Sequence, residues 1–327
     1  MKKKVSEALF EQGVATESPW VVLKFGGTSV STAENWATIA GLIQNRLDDG
    51  LKPVVVHSAL KGISSSLETV LQVAIAGDPS EHLATIRNQH MELAEALQLD
   101  GNVLLDDTLY ELEQLIAGIR LVHEVSVRTR VRVMALGEIM ATRIGAEYLA
   151  DTGLPVCWVD ARDHLTSTSR PSQQRTQDYL SATCDFSPDE QMQTALAATA
   201  DVILTQGFIA RNVHGETVLL GRGGSDTSAA YFAARLQARR LEIWTDVPGM
   251  FTADPRKVPS ARLLIALHYD EAQELASAGS SVLHPRCLSP LRQCEIPLYV
   301  RCTTAPHIGG TVVSTTTEEI EPQVKGI

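Results

Sequence analysis

Short β-branched runs recur along this chain, each followed by a longer stretch whose apolar residues fall at steps of three or four. The runs occupy residues 21–25, 53–59, 155–160, 201–208, 241–247 and 296–300, and each reads as a buried strand. The clearest intervening stretch places Leu105, Leu109, Leu112, Leu115, Ile116 and Ile119 on one side of a helix, with Asp106, Asp107, Glu111 and Glu113 elsewhere on the cylinder. Strands alternating with helices require crossover connections, hence a mainly parallel sheet with helices on both faces. The expected class is α/β, a three-layer αβα sandwich.

At 327 residues the chain is long enough to bury a core without disulfide or metal staples. Its 28 Lys plus Arg against 39 Asp plus Glu leave a formal charge of −11, which opposes binding to nucleic acid or anionic lipid. An anionic ligand would therefore need a local cluster of cations. The five cysteines show no CxxC spacing, which argues against a disulfide framework or zinc site and fits a reducing cytoplasm. Lys2, Lys3 and Lys4 could open a signal peptide, but Glu7, Glu11 and Glu17 follow and no apolar core does. No run of about 18 apolar residues predicts a membrane span. Residues 1–19 read as a polar extension and 315–327 as a polar tail that turns apolar at Val324 and Ile327.

Three glycine- or turn-rich loops carry the chemistry. Lys24-Phe25-Gly26-Gly27-Thr28-Ser29 closes the first run and precedes a helical stretch from Ala33, so backbone N–H groups and a helix start could meet an anion there. It is neither a Walker A loop nor GxGxxG, and paired glycines also make plain turns. The lysine favours the anion reading, because burying an ammonium beside a sheet is costly without a counter-charge. Gly221-Arg222-Gly223-Gly224-Ser225-Asp226 combines a planar cation, a hydroxyl and a carboxylate ahead of a helical run from Ala229, with Ser225 or Asp226 also suited to be its N-cap. The third, residues 244–256, holds the turn signals Pro248-Gly249 and Asp254-Pro255 and is expected to wrap the carboxyl edge of the sheet. Glu138, after Gly137, reads by itself as a carboxylate that stabilises a helix start. His57, His123, His164, His268 and His284 lack metal-type spacing.

In this order the three loops, together with Val282-Leu283-His284-Pro285-Arg286, resemble the aspartate kinase family of the amino acid kinase fold over roughly residues 20–314. The resemblance implies a catalytic domain over 20–314, with an aspartate-binding lobe at about 20–210 and a nucleotide-binding lobe at about 211–314. It implies transfer of the ATP γ-phosphate, with Mg²⁺ carried on ATP, to the β-carboxylate of L-aspartate. Lys24 would contact the transferring phosphate, Gly26 and Gly27 would offer N–H groups, and Asp226 would order the centre. Ser58, Ser64, Glu138, Phe208, Arg222 and Ser225 would hold the substrate, Arg222 through its α-carboxylate and Glu138 through its ammonium. Thr245, Asp246, Phe251, Asp254, Arg256 and position 281 would face the nucleotide. Position 251 is Phe where the family often has Tyr, and position 281 is Ser where a Lys is usual. The family's paired ACT regulatory modules, or a fused enzyme, are expected beyond residue 327, and homo-oligomerisation is open. Another amino acid kinase, for glutamate or acetylglutamate, and an inactive nucleotide-binding regulatory domain are the alternatives.

Overall fold

The computed structural model describes residues 17–168, 175–279 and 282–315. Ser281 and nearly all of the expected extension and tail lie outside the described residues.

A mainly parallel eight-stranded sheet organises the chain. Its strands are β1 (Trp20–Phe25), β2 (Lys52–His57), β3 (Val156–Val159), β4 (Val202–Gln206), β7 (Arg240–Thr245), β8 (Ala266–His268), β9 (Leu298–Cys302) and β10 (Thr311–Ser314), in the order β3-β4-β2-β1-β7-β9-β10-β8. The six runs read from the sequence are the six strands from β3 to β9, all parallel. β10 pairs antiparallel with β9, and β8 then runs parallel to β10, so the sheet reverses at one edge. β5 (Ile209–Arg211) and β6 (Thr217–Leu219) form a separate hairpin. β1 lies between β2 and β7 with every residue buried.

The helices begin with α1 (Ala33–Asp48) and α5 (Val127–Asp151), which pack on the sheet, and α2 (Ile63–Ala76), α3 (Ser80–Ala96) and α4 (Gly101–Val122), which pack against one another and α5. Further along come α6 (Ala161–His164), α7 (Arg175–Leu180), α8 (Glu190–Thr199), α9 (Gly224–Arg235), α10 (Tyr269–Ser277) and α11 (Pro285–Gln293). Helix α4 buries Leu105, Leu109, Leu112, Ile116 and Ile119, the stripe expected from its spacing, and Asp100 caps it. No described helix is long and apolar enough to cross a membrane.

Two expectations are corrected. The helix after the second loop starts at Gly224 rather than Ala229, with Gly223 as its left-handed N-cap residue, so Ser225 and Asp226 stand in the first turn and neither is the cap. Glu138 lies in the middle of α5, fully buried, where it cannot serve a helix start.

The charge in the middle of the sheet is compensated. Glu242 on β7 is fully buried, and it accepts from Arg46 Nε (2.9 Å) and Nη2 (3.1 Å), Arg240 Nε (2.6 Å) and Trp244 Nε1 (3.1 Å). Burial alone would raise its pKa, but Arg46 and Arg240 outweigh burial and lower it to about 2. This network ties α1 to β7 and fixes the helix that follows the first glycine loop.

Candidate active site

The carboxyl ends of β1, β2, β4 and β7 meet at one edge, where parallel sheets place ligands. Backbone bonds lock the turns that leave it: Gly26 N–H donates to Trp244 O (3.4 Å), Ser58 N–H to Phe25 O (3.2 Å) and Gly207 N–H to His57 O (2.9 Å). The loops that carry the expected site residues are thus stitched strand to strand.

Lys24, on the last turn of β1 before the glycines, places Nζ 2.6 Å from Asp226 Oδ1, with both side chains nearly buried. Asp226 sits at the third residue of α9, where the helix N-terminus also favours a carboxylate. The cation that the sequence required to have a partner therefore has one. A Cβ on Gly26 would lie 3.7 Å from Lys24 Nζ, so that glycine leaves open space over the ammonium. A Cβ on Gly27 would come within 2.7 Å of Ala59 O, which brings the first loop into backbone contact with the Ser58 loop. Ser31 completes this contact: its hydroxyl donates to Gly27 O (2.6 Å) and accepts from Lys61 N–H (2.9 Å).

Glu138 reaches the same loop from α5. Its Oε1 accepts from Ala59 N–H at 3.4 Å, and its Oε2 is buried with no hydrogen-bond partner among the described residues. Burial pushes its pKa up to about 8, only partly offset by the Ala59 amide. A buried carboxyl group with an unmet oxygen is costly unless a donor arrives. Ser58 and Ser64 are half-buried on either side of Ala59 and Gly62, Ser64 in the first turn of α2. Beside Ser58, His57 is fully buried, donates from Nδ1 to Ser58 O (2.9 Å) and has its pKa lowered to about 4 by burial.

The second loop closes the other side. Phe208 has a φ of 66°, uncommon for a bulky residue, in a three-residue turn in which Ile209 N–H donates to Gly207 O (2.7 Å). Leu220 N–H donates to Phe208 O (2.8 Å) and holds the turn in place. A Cβ on Gly207 would strike Ser225 Cβ at 2.5 Å, and one on Gly224 would strike the Phe208 ring at 2.5 Å, so these backbones are in direct contact. Arg222 is exposed between Gly221 and Gly223.

Thr245 ends β7 at this edge; its carbonyl accepts from Thr303 N–H (2.9 Å), and Thr303 Oγ1 shares a 2.8 Å hydrogen bond with Ser29 Oγ of the first loop. Asp246, Phe251, Asp254 and Arg256 follow on the excursion between β7 and β8. Asp254 Oδ1 accepts from Arg256 Nε at 3.1 Å, an exposed pair that is separate from Lys24 and Asp226. The structure therefore joins Lys24, the two glycines, Glu138, Phe208, Ser225 and Asp226 through a chain of contacts; Asp246 meets the same edge by accepting from Thr245 Oγ1 (3.2 Å), and Asp254 pairs with Arg256.

Two residues of the signature at 282–286, at the start of α11, pack against the second loop. His284 caps α11 and packs against Gly223, whose Cβ would lie 2.3 Å from His284 Cβ. Arg286 donates to Ser181 Oγ (3.0 Å), to Leu220 O and to Ala182 O (2.6 Å), so its guanidinium is already engaged.

Residues 19–302 match the amino acid kinase family. Lysine-sensitive aspartokinase 3 of Escherichia coli (strain K12) is 33% identical over 303 residues, which cover 91% of this chain and 65% of that protein. An aspartokinase of Chlamydia muridarum is 32% identical over 311 residues, 94% of this chain and 67% of its own length. The crystal structure of E. coli aspartokinase III with aspartate and ADP, in its R-state, superposes with a TM-score of 0.80 at 32% identity, over 91% of this chain and 65% of the other. The chain thus spans 65% of the length of the E. coli protein. The family match, the relatives and the superposition agree that this chain belongs to the amino acid kinase family, on its aspartokinase branch.

Proposed function

We propose that the chain catalyses transfer of the ATP γ-phosphate to the β-carboxylate of L-aspartate, giving 4-phospho-L-aspartate. The observation that carries this reading is the juxtaposition of the nearly buried Lys24–Asp226 pair with the buried Glu138 carboxyl, whose Oε2 has no hydrogen-bond partner among the described residues, across the Gly27–Ala59 contact. One side suits a transferring phosphate and the other an ammonium.

The acceptor carboxylate, with an ordinary pKa of about 3.9, is ionised at neutral pH, so no general base is required. Catalysis then rests on positioning and on neutralising charge. Lys24 meets the transferring phosphoryl group, Gly26 and Gly27 supply N–H donors, and Asp226 holds the Lys24 ammonium in place. Glu138 binds the substrate ammonium, Arg222 its α-carboxylate, and Ser58, Ser64, Phe208 and Ser225 shape the pocket. Mg²⁺ enters as part of the substrate MgATP, and Thr245, Asp246, Phe251, Asp254 and Arg256 face the nucleotide, with Ser281 in the same role. Residues 20–314 act as one catalytic domain, whose aspartate lobe runs to about residue 210.

Incubation with MgATP and L-aspartate in the presence of hydroxylamine should give the aspartyl hydroxamate. Product with L-glutamate or N-acetyl-L-glutamate, and none with L-aspartate, refutes the substrate assignment; none with any of the three refutes the activity.

A further inference from the structure

Arg286 is the second residue of α11, at the end of a helix whose partial positive charge disfavours a cation. Its position there is explained by what it holds. One arm donates to Ser181 Oγ (3.0 Å) and to Leu220 O, and the other to Ala182 O (2.6 Å). Ala182 N–H in turn donates to Leu219 O (2.8 Å), so the 181–182 segment is already bound to the end of β6. The guanidinium therefore braces three parts of the chain: α11, the 181–182 segment and the peptide that begins the Gly221–Gly224 turn.

That turn is seated on α11 at both ends. Gly221, at φ 74°, has room for a Cβ only 2.8 Å from Ser181 Oγ and 3.2 Å from Arg286 Nη1. Gly223, at φ 65°, is pressed against His284, two residues before Arg286. Arg222 lies between these two contacts, exposed. The oxygens that accept from Arg286 at Ser181, Ala182 and Leu220 are neutral, so the brace adds its positive charge beside Arg222.

We infer that Arg286 is a positioning residue, one that sets the direction of Arg222 toward the carboxylate of the amino-acid substrate by fixing the Leu220–Gly223 turn on α11. The inference rests on the proposed role of Arg222. Only a planar fork can hold the two segments at once, and a lysine cannot replace it.

In Arg286→Lys, KM for L-aspartate should rise about tenfold, the scale of one or two net hydrogen bonds, while kcat and KM for ATP stay within about twofold. Ser181→Ala, which leaves Arg286 intact, should move the same constant in the same direction by less. In an Arg222→Lys background, Arg286→Lys should add less than about twofold, because its effect runs through a fork already lost. Hydrogen exchange of the 219–224 segment needs no substrate and should quicken in Arg286→Lys. Unchanged exchange, or additive losses in the double variant, or equal shifts in both KM values, overturns the inference. If the wild-type chain phosphorylates another amino acid, the proposed function fails, and the same KM comparison with that substrate decides the role of Arg286. If it phosphorylates none, the exchange measurement decides it.

Discussion

Glu138 gives the sharpest test of the site, because its geometry implies both a stability cost and a binding signal. In the folded chain its carboxyl is buried, and burial raises its pKa from 4.5 to about 8. At about 1.4 kcal/mol per pH unit this displacement is worth about 5 kcal/mol. Between those values the folded state keeps a proton that the unfolded state releases. The contribution to stability is therefore full below pH 4.5 and is lost as pH rises through about 8. His57 and His90, each lowered to about 4 by burial, act in the opposite sense below their ordinary 6.5, and the buried thiols of Cys184 and Cys287, both raised, add a loss only near pH 9, which the comparison with a Gln variant subtracts. From pH 6.5 to about 9 the wild-type chain should lose about 2 kcal/mol from the Glu138 carboxyl. Glu138→Gln, of the same shape and uncharged, should lack that component of the slope, and urea titrations of both proteins across the window measure the difference.

The binding signal has a definite sign. If the substrate ammonium pairs with the Glu138 carboxylate, L-aspartate binding near pH 7 must expel the proton, and calorimetry in buffers of different ionisation enthalpy should record close to one proton released. kcat/KM for aspartate should then rise about tenfold from pH 7 to about 9. Parallel stability slopes for wild type and Glu138→Gln would refute the burial argument. Aspartate binding without proton release would leave burial standing and remove Glu138 from the ammonium site.

If the Lys24 ammonium meets charge on the transferring group as proposed, Lys24→Ala should lower kcat by about 100-fold or more with little change in KM for aspartate, which steady-state kinetics check. Gly223→Ala should destabilise far more than Gly62→Ala in urea titrations: both have positive φ, 65° and 86°, but a Cβ at 223 strikes His284 at 2.3 Å while one at 62 meets open space. The exposed Gly62 change should cost about 1–2 kcal/mol. Glu242→Gln should cost about 3 kcal/mol, because it leaves the partly buried Arg46 and Arg240 facing a neutral group. In the wild type that stability is present above pH 4.5 and lost as pH falls toward 2.

The parallel core was legible because strands buried on both faces have continuous apolar runs, as in β1 and β4. β5, β6, β8 and β10 escaped, being three or four residues long with no run to detect. The start of α9 was hidden by its own composition, since glycines in its loop are poor helix formers and the helix begins on one of them. Lys24 and Asp226 could be singled out by residue type, but their pairing spans about 200 positions and belongs to tertiary structure. Glu138 was misplaced at a helix end because α5 is buried along most of its length, and such a helix has little periodic contrast to fix its bounds.

The same contacts explain why so acidic a chain can hold an anionic substrate at all. A net charge of −11 repels a polyanion at long range, but that repulsion is screened within about 10 Å at ordinary salt. Inside that distance the local inventory governs. Asp226 occupies Lys24 at 2.6 Å, which lets the ammonium be nearly buried without ligand, and an arriving phosphoryl group can compete for the same Nζ donors. Arg286 adds a cation whose acceptors are neutral, and Glu138 can remain protonated and neutral until an ammonium arrives. On the proposed reading, the pocket would expose positive charge to the anionic end of its ligand and acquire negative charge at Glu138 when the cationic end is in place. The order of events follows from burial, since an ionised Glu138 without its partner is the costly state.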